Sequence, residues 1–153
     1  IGCEGLNLDT GGSAGDADFW AALQAVVDVK KAAPNMPVIM GGSGEFVLGM
    51  HGEVEFNGRQ LAGMYPHDQA EAAQSAGAGI YGVAIGTKTT ESVAWNIARA
   101  VTFVKAAVAA VKIPVHANVG MGVGGVPMME APPIDSVTRA SKSLVQIGKA
   151  DGL

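Results

Sequence analysis

The fold is decided by the stretch "EAAQSAGAGIYGVAI", residues 71–85. Its first half completes a predicted helix, His67–Ala76, and Gly77 is the residue type that most often follows a helix end. Its second half, Ile80–Ile85, is a short apolar run of the kind found in strands that are covered on both faces. A helix that gives way within three residues to such a strand indicates a helix-to-strand junction of a parallel sheet.

The same alternation continues on both sides of this stretch. Further strands are predicted at Gly5–Asp9, Val38–Gly41 and Ile113–Asn118, with Leu153 opening another, and further helices at Asp16–Ala33, Thr90–Val111 and Asp135–Lys149. Strands recur at intervals of roughly 30 to 45 residues, the size of βα units. This pattern leaves two architectures open, a doubly wound sheet and a (β/α)8 barrel, and residues 1–153 form one domain in either. Asp16 or Asp18 is expected to cap the first helix and Asp135 the last.

One segment interrupts the alternation, the run "SGEFVLGMHGEVEFNGRQLAG" from Ser43 to Gly63. Within it, two short strand-like runs flank Asn57-Gly58, a dipeptide that strongly favours a β-hairpin turn. A hairpin that follows the end of a strand is a common way to build the rim of an active site.

Composition excludes several classes of protein. The net charge of −4, with no block of Lys or Arg, argues against nucleic acid as a partner. The single cysteine, Cys3, is typical of a reducing compartment, so a cytoplasmic protein is expected. No apolar run approaches the ~18 residues of a membrane span. The 48% hydrophobic content predicts a large buried core.

Polar side chains cluster where the predicted strands end. His116 and Asn118 alternate in "PVHANVG", so they share one face of a strand at the end where α/β enzymes place their active sites. Asp9 (or Glu4 at the other side of its strand) and Glu45 follow the first two strands, and Thr87 follows the third. We predict that Asp9, Glu45, His116 and Asn118 are catalytic, binding a cationic substrate or acting as acids and bases. The alternative roles are a buried hydrogen-bond network, helix caps or solvated loop charges.

The histidines and the cysteine do not predict a metal site. His51, His67 and His116 show no i,i+4 pairing, and Cys3 has no second cysteine nearby. We therefore expect no bound metal.

The loop "GMGVGG", residues 120–125, matches the G-x-G-x-x-G pattern of dinucleotide-binding proteins. That motif must open directly into a helix, whereas here Val126 and Pro127, and then Pro132 and Pro133, follow the loop. The glycines are better explained by a backbone that turns tightly, or that a flat ligand or a partner approaches closely. The residues concerned are Gly120, Gly122, Gly124 and Gly125.

Long stretches of the chain resemble one family, the dimethylamine:corrinoid methyltransferases. The resemblance covers essentially the whole chain and lies in "GCEGLNLDT" (2–10), "GEFVLGMHGE" (44–53), "SVAWNIARAVTFVK" (92–105), "IPVHANVGMGVGGVPM" (113–128) and "PPIDSVTRASKSLV" (132–145).

The resemblance implies a (β/α)8 TIM barrel, of which this chain holds about four βα units. It implies a cytoplasmic methyltransferase of methylamine-dependent methanogenesis, a homo-oligomer when complete, which moves a methyl group from dimethylamine to the Co(I) corrinoid of a separate protein and releases monomethylamine. This chain would bind no cofactor itself, and residues 120–125 would let the partner's corrinoid approach. It also implies that pyrrolysine, encoded by UAG, directly follows Leu153; an arbitrary cut at this point is the competing explanation.

Two other interpretations stay open. The chain could belong to another (β/α)8 enzyme that acts on a small polar substrate, phosphorylated or cofactor-bound. It could also be a truncated, non-catalytic product. Half a barrel leaves two strand edges unpaired, so we expect the isolated chain to be inactive and to aggregate, stay molten or dimerise.

Overall fold

The computed structural model describes residues 2–9, 15–43, 51–84, 95–117 and 134–153. Strands and helices alternate in the order predicted. In chain order the elements are β1 (Leu6–Asp9), α1 (Asp16–Ala32), β2 (Val38–Ser43), β3 (Glu55–Phe56), β4 (Arg59–Gln60), α2 (Pro66–Ala76), β5 (Ile80–Ala84), α3 (Trp95–Ala110), β6 (Val115–Ala117) and α4 (Ile134–Gln146).

The main sheet is parallel and has the strand order β1-β2-β5-β6, which is also the order along the chain. A doubly wound sheet requires the strand order to reverse at one point, and the described strands contain no reversal. The predicted parallel α/β architecture is therefore confirmed. The described strands form an open sheet and not a closed barrel, because a (β/α)8 barrel needs about eight strands to close.

The two faces of the sheet differ in what covers them. Successive helices contact one another, α1 with α2, α2 with α3 and α3 with α4, and the first three also contact their neighbouring strands. We call the side under these helices the helix-covered face; its buried residues include Val38, Met40, Tyr81, Val83, Val115 and Ala117. The opposite side, here called the open face, carries Ile39, Gly41, Ile80, Gly82 and His116. The hydrophobic core therefore lies between the sheet and one layer of helices.

The predicted hairpin is confirmed. β3 and β4 pair antiparallel, and the turn residues Asn57 and Gly58 both have positive φ, 53° and 76°. That combination belongs to a type I′ turn, whose twist matches the twist of the two strands. The hairpin is held against α2 by Arg59, which forms ion pairs with Asp68 and, at 2.9 Å, with Glu71.

The caps of two helices differ from the prediction. Gly15, not Asp16 or Asp18, is the N-cap of α1, and Asp16 is the first helical residue. The Asp16 carboxylate instead accepts hydrogen bonds from the backbone N–H of Ala17, at 3.0 Å, and of Val54, at 3.3 Å. The capping prediction for α1 was wrong because Asp16 ties the helix to the hairpin segment.

Asp135 likewise lies inside the first turn of α4, where its carboxylate accepts a hydrogen bond from Arg139 at 2.6 Å.

The C-terminal ends of the helices agree more closely with the prediction. Gly77 follows α2 in the left-handed conformation, with φ 107°, as the sequence predicts. α4 ends at Gln146, before the predicted Lys149, whose own φ of 63° is incompatible with a continuing helix. Among the described residues, no helix combines the length and the apolar character that crossing a membrane would require.

Candidate functional site

A single row of residues crosses the open face of the sheet. The strand register places Asp9 opposite Gly41, Gly41 opposite Gly82, and Gly82 opposite His116. On its other side, His116 forms a parallel bridge with Gly152. Adjacent strands lie about 4.8 Å apart, so the backbones of Asp9 and His116 are separated by about 14 Å. The row thus brings an aspartate and a histidine to the same level of the sheet, with glycines between and beside them.

The imidazole of His116 leans over β5. A methyl group built on Gly82 would lie 2.7 Å from Nε2 and 3.0 Å from Cε1 of His116, much closer than atoms in contact can be. A methyl group built on Gly152 would lie 3.5 Å from the Cβ of His116, which is an ordinary contact. The ring therefore occupies the space that a side chain at Gly82 would need, and its flank toward Gly152 is left open.

The imidazole is half-buried and has no hydrogen-bond partner among the described residues. A histidine in a core network would use its ring nitrogens within the protein, because buried polar groups are almost always paired. The described residues therefore form no such network around His116, whose ring can meet solvent or a ligand.

A cavity of about 340 Å³ adjoins this flank of the ring. Its walls include Ile39 and Ile80, which are register partners on the open face, together with His116, Asp151, Gly152 and Leu153. The volume lies at the lower end of the range of small-molecule pockets, about 300–1,000 Å³. The cavity combines an apolar wall with two titratable side chains, an imidazole and a carboxylate.

The chain after α4 returns to the edge of the sheet beside β6. The backbone N–H of Asp151 donates to the carbonyl of Val115 at 2.8 Å, and that of Ala117 donates to the carbonyl of Gly152 at 3.2 Å. The Asp151 carboxylate also accepts a hydrogen bond from the N–H of Val115 at 2.8 Å. The chain therefore pairs with the edge of the sheet at Gly152, one residue before Leu153, where a strand was expected to open.

The described residues separate the two carboxylates offered for the first strand. Asp9 ends β1 and lies in the row with His116, whereas Glu4 precedes the strand and is exposed at its amino end. Glu4 lines a different cavity of about 390 Å³, together with Cys3, Pro34 and Met36. Of the two alternatives offered for the first strand, Asp9 is therefore the one at the level of His116, because β1 separates Glu4 from that end of the sheet.

The other predicted site residues lie outside the described residues. They are Glu45, Thr87, Asn118 and the glycines Gly120, Gly122, Gly124 and Gly125. Within the described part, sequence reasoning missed Gly82, Gly152 and Asp151. Gly82 carried a usable signal, since a glycine inside an apolar strand indicates a close approach by another group.

Tyr81, the neighbour of Gly82, does not belong to this site. It lies on the helix-covered face, fully buried, and burial raises the pKa of its hydroxyl because the ionised form would lose its hydration. Among the described residues, no three His, Cys, Asp or Glu side chains are grouped closely enough to hold a metal ion.

A comparison with protein families connects this geometry to a chemistry. The model of one family, dimethylamine methyltransferase (Dimeth_PyL), matches residues 1–153, which is the whole chain.

Proposed function

Because the chain belongs to the dimethylamine methyltransferase family, we propose that the complete protein transfers a methyl group from dimethylamine to the Co(I) corrinoid of a partner protein. The second product is monomethylamine. The family match over residues 1–153 supports the substrate and the transferred group, and the acceptor and product follow from the resemblance in the sequence motifs. The enzyme would be cytoplasmic and, when complete, a homo-oligomer.

The observation that carries this proposal is the family match, which covers every residue of the chain. The open face of the sheet agrees with it, because His116 lies there with Gly82 on one side and Gly152 on the other. We propose that the complete protein uses pyrrolysine, which the resemblance in the sequence motifs implies.

Pyrrolysine would supply an electrophilic imine that binds the amine and fixes its orientation, and orientation of this kind can contribute several kcal/mol to a transfer reaction. The protein's own residues would do the rest. We propose that Asp9, Glu45, His116 and Asn118 surround the amine, and that the loop containing Gly120, Gly122, Gly124 and Gly125 admits the partner's corrinoid. No cofactor would be held by this chain itself.

The strand order supports a closed (β/α)8 barrel in the complete protein. Successive parallel strands that always add on the same side, under one helix layer, are the arrangement from which such barrels are built. Closure would turn the open face into the barrel interior. The row from Asp9 to Gly152 would then line the inside, below the mouth where barrel enzymes place their active sites.

The test is a methyl-transfer assay on the complete protein produced with pyrrolysine. Reduced corrinoid protein and dimethylamine are added, and methylated cobalt is followed by absorbance while monomethylamine is measured by chromatography. The matched control is the same protein with lysine in place of pyrrolysine. We expect transfer by the pyrrolysine form and at least 10²-fold less by the lysine form. Equal rates in both forms would contradict the role of pyrrolysine, and no transfer by either form would contradict the proposed function.

A further inference from the structure

The hairpin and the first turn of α2 form an exposed surface at one end of the sheet. α2 packs against β2 and β5, and three residues after its end the chain enters β5 at Ile80. The start of α2, 11 residues or about 16 Å from its end, therefore lies at the carboxyl ends of the strands. We call the following side chains the hairpin surface: Glu53, Glu55, Arg59, Tyr65 and His67.

Described elements pack on both sides of this surface and beneath it. α1 and α3 contact α2 from its two sides, and α1 also contacts β3. Below the surface, Phe56 and Leu61 of the hairpin segment are buried, as is Pro66 at the start of α2. The hairpin surface is thus the outer side of a well-packed unit, and its exposure is a property of that unit.

A pair of stacked rings stands on the hairpin surface. The Tyr65 side chain is half exposed, and its ring stacks on that of His67 with the centroids 6.0 Å apart and an angle of 11° between the planes. A tyrosine ring offers a large contact area and loses little conformational freedom on binding, so tyrosine is enriched at protein interfaces and among the residues that dominate their affinity. The pair therefore provides an anchor for a protein partner.

Ion pairs and a helix cap hold the hairpin surface in a fixed arrangement. Arg59 pairs with Asp68 and, at 2.9 Å, with Glu71, which fastens the hairpin to α2. The Asp68 carboxylate also accepts a hydrogen bond from the backbone N–H of Tyr65 at 3.1 Å. A surface that is ordered before it binds loses less conformational freedom on binding. The hairpin surface is therefore suited to a folded partner.

The hairpin surface is acidic, whereas the opposite end of the sheet is basic. Glu53 and Glu55 are exposed, and within the described part of the chain neither carboxylate forms an ion pair. Helix dipoles favour acids at the starts of helices, but these two residues belong to the hairpin segment, so the dipole does not explain them. The described lysines lie in the second half of a helix or just after its end, namely Lys30, Lys31, Lys105, Lys112, Lys142 and Lys149. The charge of the hairpin surface therefore favours a partner that presents Lys or Arg.

From these features we infer that the hairpin surface is the docking site of the corrinoid protein, which meets Glu53 and Glu55 with basic side chains. The inference rests on the proposed function and deepens it, because it names the surface that receives the partner. A protein that delivers cobalt must approach the carboxyl ends of the strands, where barrel enzymes hold their substrates. A second copy of this chain fits less well, because a symmetric contact at this surface brings like charges together.

The test measures how tightly the complete pyrrolysine-containing protein binds its purified corrinoid partner, by titration calorimetry, and the KM for that partner in the transfer assay. We expect Tyr65→Ala to weaken binding and to raise this KM about 10-fold or more, as the loss of a central anchor does. The fold should survive, because Asp68 caps α2 through the backbone N–H of residue 65. Tyr65→Phe is the conservative variant, and since it keeps the ring it should bind within about threefold of wild type.

Glu55→Lys tests the charge of the hairpin surface. Its matched control is Asp28→Lys, which changes the net charge equally at an exposed position near the far end of α1. We expect Glu55→Lys to weaken binding about 10-fold at low salt and much less in 1 M NaCl, because salt screens exposed charges. Asp28→Lys should bind the partner within about twofold of wild type at either salt concentration.

The possible outcomes separate the inference from the proposed function. At saturating partner, kcat and the KM for dimethylamine should be unchanged in the variants. If wild-type protein transfers methyl groups but Tyr65→Ala and Glu55→Lys bind the partner as tightly as it does, only the inference is overturned. A changed oligomeric state in sedimentation, with unchanged affinity for the partner, also overturns it, because the surface then joins copies of this chain. Wild-type protein that binds the partner but transfers no methyl group contradicts the proposed function, and the affinities of the variants still decide the inference.

Discussion

Gly42 and Gly82 are neighbours on adjacent strands, and they lie on opposite faces of the same sheet. A methyl group on Gly42 would overlap the Tyr81 hydroxyl and lie 2.9 Å from Oε1 of Gln69, and both side chains are fully buried. A methyl group on Gly82 would meet the His116 ring, which borders a cavity. The same residue type thus allows dense packing on the helix-covered face and keeps a polar ring in place on the open face.

The polar groups of the two faces also differ in how deeply they are buried. The Tyr81 hydroxyl is buried with no hydrogen-bond partner among the described residues, so its environment holds it neutral. His116 is half-buried and reaches the cavity. A group held neutral by burial suits a core, and a half-buried polar ring beside a cavity can contact a ligand. The comparison shows dense packing on the helix-covered face, and it agrees with the proposal that the open face carries the site.

The largest expected effect on stability comes from Gly42→Ala. The added methyl group has no free volume, since the atoms it meets belong to side chains packed under α2, and overpacking of this kind costs about 1–3 kcal/mol. We expect a loss near the upper end of that range for Gly42→Ala and less than about 0.5 kcal/mol for Gly82→Ala, measured by urea unfolding of the complete protein. Equal losses would show that the two faces are packed alike and would remove the comparison.

The second effect is a dependence of stability on alkaline pH. In the unfolded chain Tyr81 ionises near pH 10, whereas burial keeps it protonated in the folded state. The folded state then binds more protons than the unfolded state above about pH 10, so the free energy of unfolding falls, by up to about 1.4 kcal/mol per pH unit. Below that pH both states are neutral and the group has no effect.

The midpoint of urea unfolding, determined at several pH values between 8 and 11, measures this alkaline loss of stability. Tyr81→Phe should remove the Tyr81 part of the alkaline loss, and at neutral pH it should be neutral or stabilising, because it deletes a buried hydroxyl without a described partner. Tyr65→Phe is the matched control, since Tyr65 is 51% exposed and should leave the slope unchanged. If Tyr81→Phe and wild type lost the same stability between pH 8 and pH 11, the Tyr81 hydroxyl would be less buried than the structure shows.

Much of the fold was predictable because local signals agree with the global one. Gly77 ends α2, Asn57-Gly58 makes the hairpin turn, and apolar runs form the strands. The strand order was not predictable, because periodicity gives no information on which strands pair. Doubly wound sheets and barrels show the same alternation of strands and helices along the sequence. Asp16 shows a second limit. Its sequence position is typical of a cap, but a bond to Val54, 38 residues away, decides its role.

The candidate site was predictable only in part, for a related reason. His116 was found from its place near a strand end, but Gly82 became significant only through the register that sets it opposite His116. A glycine in a strand indicates that something approaches closely, and only the sheet shows what. Gly152 and Asp151 lie 36 residues after His116 and Val115 and meet them across β6, a contact that no sequence spacing announces.

The smallest expected effect on stability concerns the hairpin at the edge of the helix-covered face, which is held by the ion pairs of Arg59. Arg59 pairs with Asp68 and Glu71, and the hydrogen bond to Glu71 raises the pKa of Arg59, so the guanidinium stays charged at every working pH. Its side chain is nevertheless 48% exposed, and exposed pairs contribute only about 0.2–1 kcal/mol each because water and salt screen them.

We expect Arg59→Met, which keeps the apolar stem, to lower the free energy of unfolding in urea by about 1 kcal/mol or less. Most of that loss should vanish in 1 M NaCl. Arg139→Met is the matched control, since its single pair with Asp135 is more exposed and should contribute about 0.3–0.5 kcal/mol. A loss above about 2 kcal/mol for Arg59→Met, or one that salt does not reduce, would mean that the hairpin is part of the packed core and that the dense face extends to the rim.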